Sequence, residues 1–77
     1  MIAIWGGLLM ETHGIPTNRQ IEVLQMLADG LRYKHIAQYC GISRRTVKNY
    51  INRACILLDV HTAHQAIAEG FRRGILR

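Results

Sequence analysis

Four polar residues, Arg45, Lys48, Asn49 and Asn52, recur along one short stretch of the chain. At 3.6 residues per turn they share one face of a helix. Val47, Ile51, Ala54 and Leu58, spaced four, three and four apart, make an apolar stripe on the opposite face. The polar four must therefore point outward. An Asn amide sets a donor beside an acceptor, which matches the edge of adenine, and Arg or Lys suits the acceptors of guanine. Around them stand Arg32, Tyr33, Lys34, Arg44 and Arg53. Such residues hold phosphate oxygens and set register on a duplex, and helix N-termini add free N–H groups of the same use. An ordinary solvated helix also shows a Lys/Asn/Arg face, so the surrounding elements have to decide between the two.

Other chemistry finds little support. The five acids, Glu11, Glu22, Asp29, Asp59 and Glu69, are scattered, with no Ser-His-Asp set, Gly-rich phosphate loop or carboxylate pair. The chain is not expected to be an enzyme. Glu22 reads as a salt-bridge partner within the domain, for a basic residue of the helix near 44–58. His61 and His64 are three apart and share a face, but no matching Cys or carboxylate pair completes the four ligands zinc takes. No metal and no cofactor is expected. His13 and His35 read as surface or packing residues. Cys40 and Cys55 lie among apolar residues without a C-x-x-C spacing, so both read as reduced core thiols.

The elements that position the polar face follow from capping and periodicity. Thr17-Asn18-Arg19-Gln20, after Pro16, has the form of a capping box. Ile21, Val23, Leu24, Leu27 and Ala28 then repeat at helical spacing, and Gly30 ends a helix over 18–29. A second, short helix over 33–40 buries Ile36, Ala37 and Cys40; Gly41 turns the chain, Ile42 fills the space between helices and Ser43 caps the next helix. That third helix runs over 44–58. Thr62 caps a fourth, to about Arg73, with Ala63, Ala66, Ile67, Gly70 and Phe71 on its apolar side; Gly74 stops it, and Ile75 and Leu76 fold back. The fold class is all-α, four helices around one core and no strand in the body. A short helix, a Gly-containing turn and a longer helix make a helix-turn-helix.

Seventy-seven residues suffice for one domain (15–77), preceded by an apolar arm (1–14). The arm holds Ile2, Ile4, Trp5, Leu8, Leu9 and Met10, with no Lys or Arg. Its Gly6-Gly7 pair argues against one continuous helix, and the stretch is too short to span a bilayer. It reads as a segment that packs on the body or on a second copy. A chain that is 49% hydrophobic and 19% charged is globular rather than disordered. Ten Lys and Arg against five acids give +5, the balance of a protein with a polyanionic partner. The expected location is the cytoplasm, with no membrane association.

In order and without a gap, residues 17–76 contain Glu22-Val23-Leu24, Leu27-Ala28-Asp29-Gly30-Leu31, Lys34, Ile36-Ala37, Gly41-Ile42-Ser43, Thr46-Val47-Lys48-Asn49, Leu58, Val60 and Gln65-Ala66-Ile67-Ala68. This set resembles the LuxR-type (GerE-like) helix-turn-helix domain of bacterial regulators, here as a stand-alone module of prokaryotic or phage origin. The resemblance implies a sequence-specific regulator of transcription whose third helix enters the major groove of double-stranded DNA. It puts Lys48, Asn49 and Asn52 toward the bases, and Thr46, Lys34 and Arg53 toward the backbone. It also implies a homodimer through the fourth helix, at Ala63, Ala66, Ile67, Gly70 and Phe71. The chain departs from the family's usual residues at His35 (commonly Glu), Cys40 (Leu), Tyr50 (His) and Asp59 (Gly). Its third helix is also unusually apolar over Ile51, Ala54, Cys55, Ile56 and Leu57. Ile56 and Leu57 cannot both join the Leu58 stripe, so one of them is expected to meet the arm or a partner chain. The competing reading is a small modulator that pairs with another regulator or with RNA polymerase, which the apolar arm favours. Retention of Asn49 and Asn52 on a basic face favours DNA.

Overall fold

The computed structural model describes the backbone of Ile2–Trp5 and Leu8–Glu11, and residues 16–77 in full. The chain forms β1 (Ile2–Trp5), β2 (Leu8–Glu11), α1 (Asn18–Ala28), α2 (Tyr33–Cys40), α3 (Arg44–Leu57) and α4 (Ala63–Arg72). α3 is central and packs against the other three helices. Each helix begins as its sequence dictates. Thr17 and Thr62 form full capping boxes with Gln20 and Gln65, and Ser43 Oγ accepts from the Thr46 N–H at 3.0 Å. Only α2, which starts after Arg32, lacks a side-chain cap.

All four helices end alike: the chain swings into the left-handed region and its next two N–H groups return to carbonyls of the last turn. For α1 these bonds are Gly30 N–H to Leu27 O (3.1 Å) and Leu31 N–H to Met26 O (3.1 Å). The corresponding residues after α2 and α4 are Gly41 and Gly74, and after α3 it is Asp59, at φ 57°. Glycine takes that conformation without a Cβ clash; Asp is one of the few other residues that tolerates it. The ends of α1, α3 and α4 fall one residue before the sequence reading, because the last residue in each case is the half-helical cap.

The core consists of Val23, Leu24, Ile36, Ala37, Val47, Ile51, Ala54, Cys55, Leu58, Ala66 and Leu76. The expected stripe of α3 is buried, Leu76 folds back, and Ile42 and Ile75 pack at the margin. Cys55 is buried, and burial pushes its thiol pKa up; Cys40 is half-buried, and both are free. The C-terminal segment is tied to α1 by Gln25, whose Oε1 accepts from the Arg77 N–H at 3.0 Å and whose Nε2 donates to Arg77 O at 3.2 Å.

The arm departs from expectation in one respect. Its two apolar runs pair as an antiparallel hairpin, Ile2 opposite Glu11 and Trp5 opposite Leu8. A two-residue Gly-Gly link between apolar runs is a hairpin signal; the sequence reading used it only against a helix. β2 lies beside α3. The side-chain packing expected of Ile2, Ile4, Trp5, Leu8, Leu9 and Met10, and the reading of His13, lie outside the described residues.

Candidate nucleic-acid interface

α3 presents Arg45, Lys48 and Asn49 exposed and Asn52 half-buried, with the buried stripe holding the helix from behind. Among the described residues these four side chains make no hydrogen bond or ion pair, so their polar groups remain available. The Ser43 cap takes up the Thr46 N–H, and Val47 N–H bonds Ser43 O at 3.1 Å. The N–H groups of Arg44 and Arg45 are among those an α-helix leaves without an internal acceptor. The start of α3 therefore carries the positive end of the helix dipole together with two exposed guanidinium groups.

The residues expected at phosphates divide by exposure. Arg32, Lys34, Arg44 and Arg53 are exposed. Tyr33 is half-buried against the core, and Thr46 is half-buried with its hydroxyl 2.9 Å from Ser43 Oγ. The electrostatics of this side are one-signed. Residues 31–58 hold six of the ten Lys and Arg and none of the five acids. Net charge alone left the partner open; this concentration on α2 and α3 locates the positive field on the face that carries Asn49 and Asn52.

Glu22 is corrected. It pairs with Arg19 of its own helix at 3.5 Å, one turn away, rather than with α3. Arg19 instead links α1 to α2, donating to Cys40 O at 3.2 Å. The carboxylate that bears on α3 is Glu69. It pairs with Arg72 and Arg73, and the Arg73 Nε bond is 2.9 Å. Arg73 Nη2 in turn donates to Leu58 O at 3.3 Å, closing the end of α3. Hydrogen bonds from Arg72 and Arg73 hold the Glu69 carboxyl below the usual glutamate pKa. His35, His61 and His64 are exposed.

The expected α4 interface also needs correction. Ala66 is fully buried in the protomer's own core. Gly70 is buried too: a Cβ placed there would lie 2.7 Å from Leu76 Cγ and Cδ1, so Gly70 is the seat of the returning tail. Neither is available to a second copy. Ala63, Ile67 and Phe71 remain on the surface, Phe71 47% exposed. Beside them Leu27, Tyr33, Ala63, His64 and Ile67 line a depression of about 280 Å³. Leu27 and Tyr33 come from other helices, so periodicity along α4 alone had no means of finding them.

Comparison with known proteins agrees with this geometry. The family model described as bacterial regulatory proteins, luxR family, matches residues 16–69. The chain is 39% identical over 59 residues to the uncharacterized response regulatory protein YgeK of Escherichia coli (strain K12), covering 77% of this chain and 40% of that protein. It is 40% identical over 58 residues to the transcriptional regulatory protein DesR of Bacillus subtilis (strain 168), covering 75% of this chain and 29% of DesR. Thus it spans well under half the length of these relatives. The match to the spore germination protein GerE of Bacillus subtilis (strain 168) is 38% over 60 residues and covers 81% of GerE. The solved structure of the transcription factor GerE superposes with a TM-score of 0.75 at 36% identity, covering 79% of this chain and 91% of that one.

Proposed function

Because the chain belongs to the luxR family of bacterial regulatory proteins and folds as its helix-turn-helix DNA-binding module, we propose that it regulates transcription by laying α3 in the major groove of a specific duplex. Arg45, Lys48, Asn49 and Asn52 read base edges there. Arg32, Lys34, Arg44 and Arg53, with Tyr33 and Thr46 at the margin, contact the backbone. The observation that carries this reading is the acid-free, basic face of α2 and α3, from which two uncommitted Asn amides project. An α-helix fits the groove, and Asn and Arg or Lys there distinguish adenine from guanine.

The protein acts as a homodimer through Ala63, Ile67 and Phe71 of α4, reading two half-sites about one helical turn apart, near 34–36 Å. It works in the cytoplasm; no helix among the described residues is long and apolar enough to cross a membrane. The test is selection of bound duplexes from a random-sequence pool by the purified protein at near-physiological salt. An inverted repeat with fixed spacing is expected. Salt-sensitive binding with no motif would overturn sequence-specific reading, and no binding at all would move the function to a protein partner such as RNA polymerase or another regulator.

A further inference from the structure

Ile56 stands on the reading face of α3, not on its core face. It follows Arg45, Asn49 and Asn52 at spacings of eleven, seven and four residues, which places all four within a narrow sector of the helix. Exposure falls along that sector. Arg45 and Asn49 are exposed, Asn52 is half-buried, and Ile56 is buried at 4%. Ile56 is nonetheless absent from the core cluster, whose α3 members lie on the opposite side of the helix. The element beside α3 that is not one of the four helices is β2. We infer that the hairpin β1–β2 docks over Ile56 and covers the C-terminal half of the reading face, so that it must leave before α3 enters a major groove.

This inference rests on the DNA-binding reading and adds a regulatory contact to it. The groove is about 12 Å wide, close to the diameter of one α-helix with its side chains. A sheet layered on a helix adds a thickness on the order of 10 Å, which the groove has no room for. Ile56 lies one turn beyond Asn52, about 6 Å along the axis, so the cover and the bases compete for the same surface. Charge points the same way. Residues 1–14 contain no Lys or Arg, and β2 ends in Glu11. Such an element gains nothing from nearby phosphates. It does gain from Ile56, because a two-stranded hairpin is marginal on its own and needs an apolar surface.

The test uses the full chain and Ile56→Ala, titrated with a short random-sequence duplex, together with hydrogen exchange of the free and duplex-bound wild type. A competing cover lowers apparent affinity by the fraction of time it is off. The variant should therefore bind about three- to tenfold more tightly if the hairpin is docked most of the time. The amides of β1 and β2 should lose protection when the wild type binds duplex. Protected amides in α1, α2 and α4 of the variant would show that its body is folded, as expected from the absence of Ile56 from the core cluster. Unchanged or weaker binding by a folded variant, or hairpin protection that the duplex leaves unchanged or raises, would overturn the inference. Failure of both proteins to bind duplex is a different result, and it removes the DNA-binding reading and this one together.

Discussion

At the scale of single residues, Asn49, Asn52 and Arg53 share α3 but answer to different chemistry. A bidentate amide–base contact discriminates by about 1–3 kcal/mol, whereas a phosphate contact is blind to sequence. Replacing Asn49 and Asn52 together with Ala should compress the affinity difference between selected and random duplexes, with little change in random-duplex binding; a binding series on both duplexes measures this. An equal loss on the two would remove these Asn residues from base reading. Arg53→Ala should weaken binding on every sequence and reduce the slope of log K against log salt by about 0.9. Titrations at several salt concentrations check that, and an unchanged slope would mean that Arg53 touches no phosphate. These roles were legible from types and spacing alone, since a helix phase follows from sequence arithmetic. The burial of Ala66 and Gly70 was not, because it depends on where Leu76 returns.

At the scale of elements, the junction between α3 and α4 sets the orientation of the reading helix. Asp59 occupies the left-handed position where the ends of the other helices have glycine. Asp59→Gly should stabilise the protein by about 0.5–1 kcal/mol, the left-handed penalty less glycine's entropy cost. In a domain of this size that raises Tm by a few degrees, about 2–8 °C, which thermal unfolding would read. A lower Tm would mean that the Asp carboxylate makes a contact worth more than the backbone strain. Across the same junction, Glu69 holds Arg73 against Leu58 O. Its folded pKa lies below the unfolded value, so its contribution is fully present above the unfolded pKa. That contribution is lost as pH falls through the folded one. Acidification below about pH 4.3, the ordinary glutamate value, should therefore lower the stability of the wild type more steeply than that of Glu69→Gln. Parallel Tm curves for the two proteins over that window would show that the pair contributes nothing.

At the scale of the whole molecule, the question is how two reading helices are spaced. Phe71 is half-exposed, and the depression lined by Leu27, Tyr33, Ala63, His64 and Ile67 lies alongside the same helix. Buried aromatic anchors carry much of the energy of an interface, often about 2 kcal/mol or more. Phe71→Arg should leave the protomer folded, because the side chain is outside the core, and shift it to monomer in sedimentation. Affinity for paired half-sites should fall more than tenfold, with single half-site binding little changed. A variant that stays dimeric would place the interface elsewhere.

The sequence by itself determined the four helices, their caps, the αL turn at Gly41 and the outward face of α3. Those features depend on interactions within a few residues: a Thr or Ser hydroxyl three positions from an N–H, or a repeat near 3.6. Only the tertiary structure decided the rest. It gave Glu22 to Arg19 and made Glu69 the clamp on α3. It withdrew Ala66 and Gly70 from any second chain, joined Leu27 and Tyr33 to the outer face of α4, and set β2 beside the helix that carries Ile56. The reason is common to all of these. A side chain's availability depends on what other segments cover it, and coverage by residues distant in the chain leaves no mark on local periodicity.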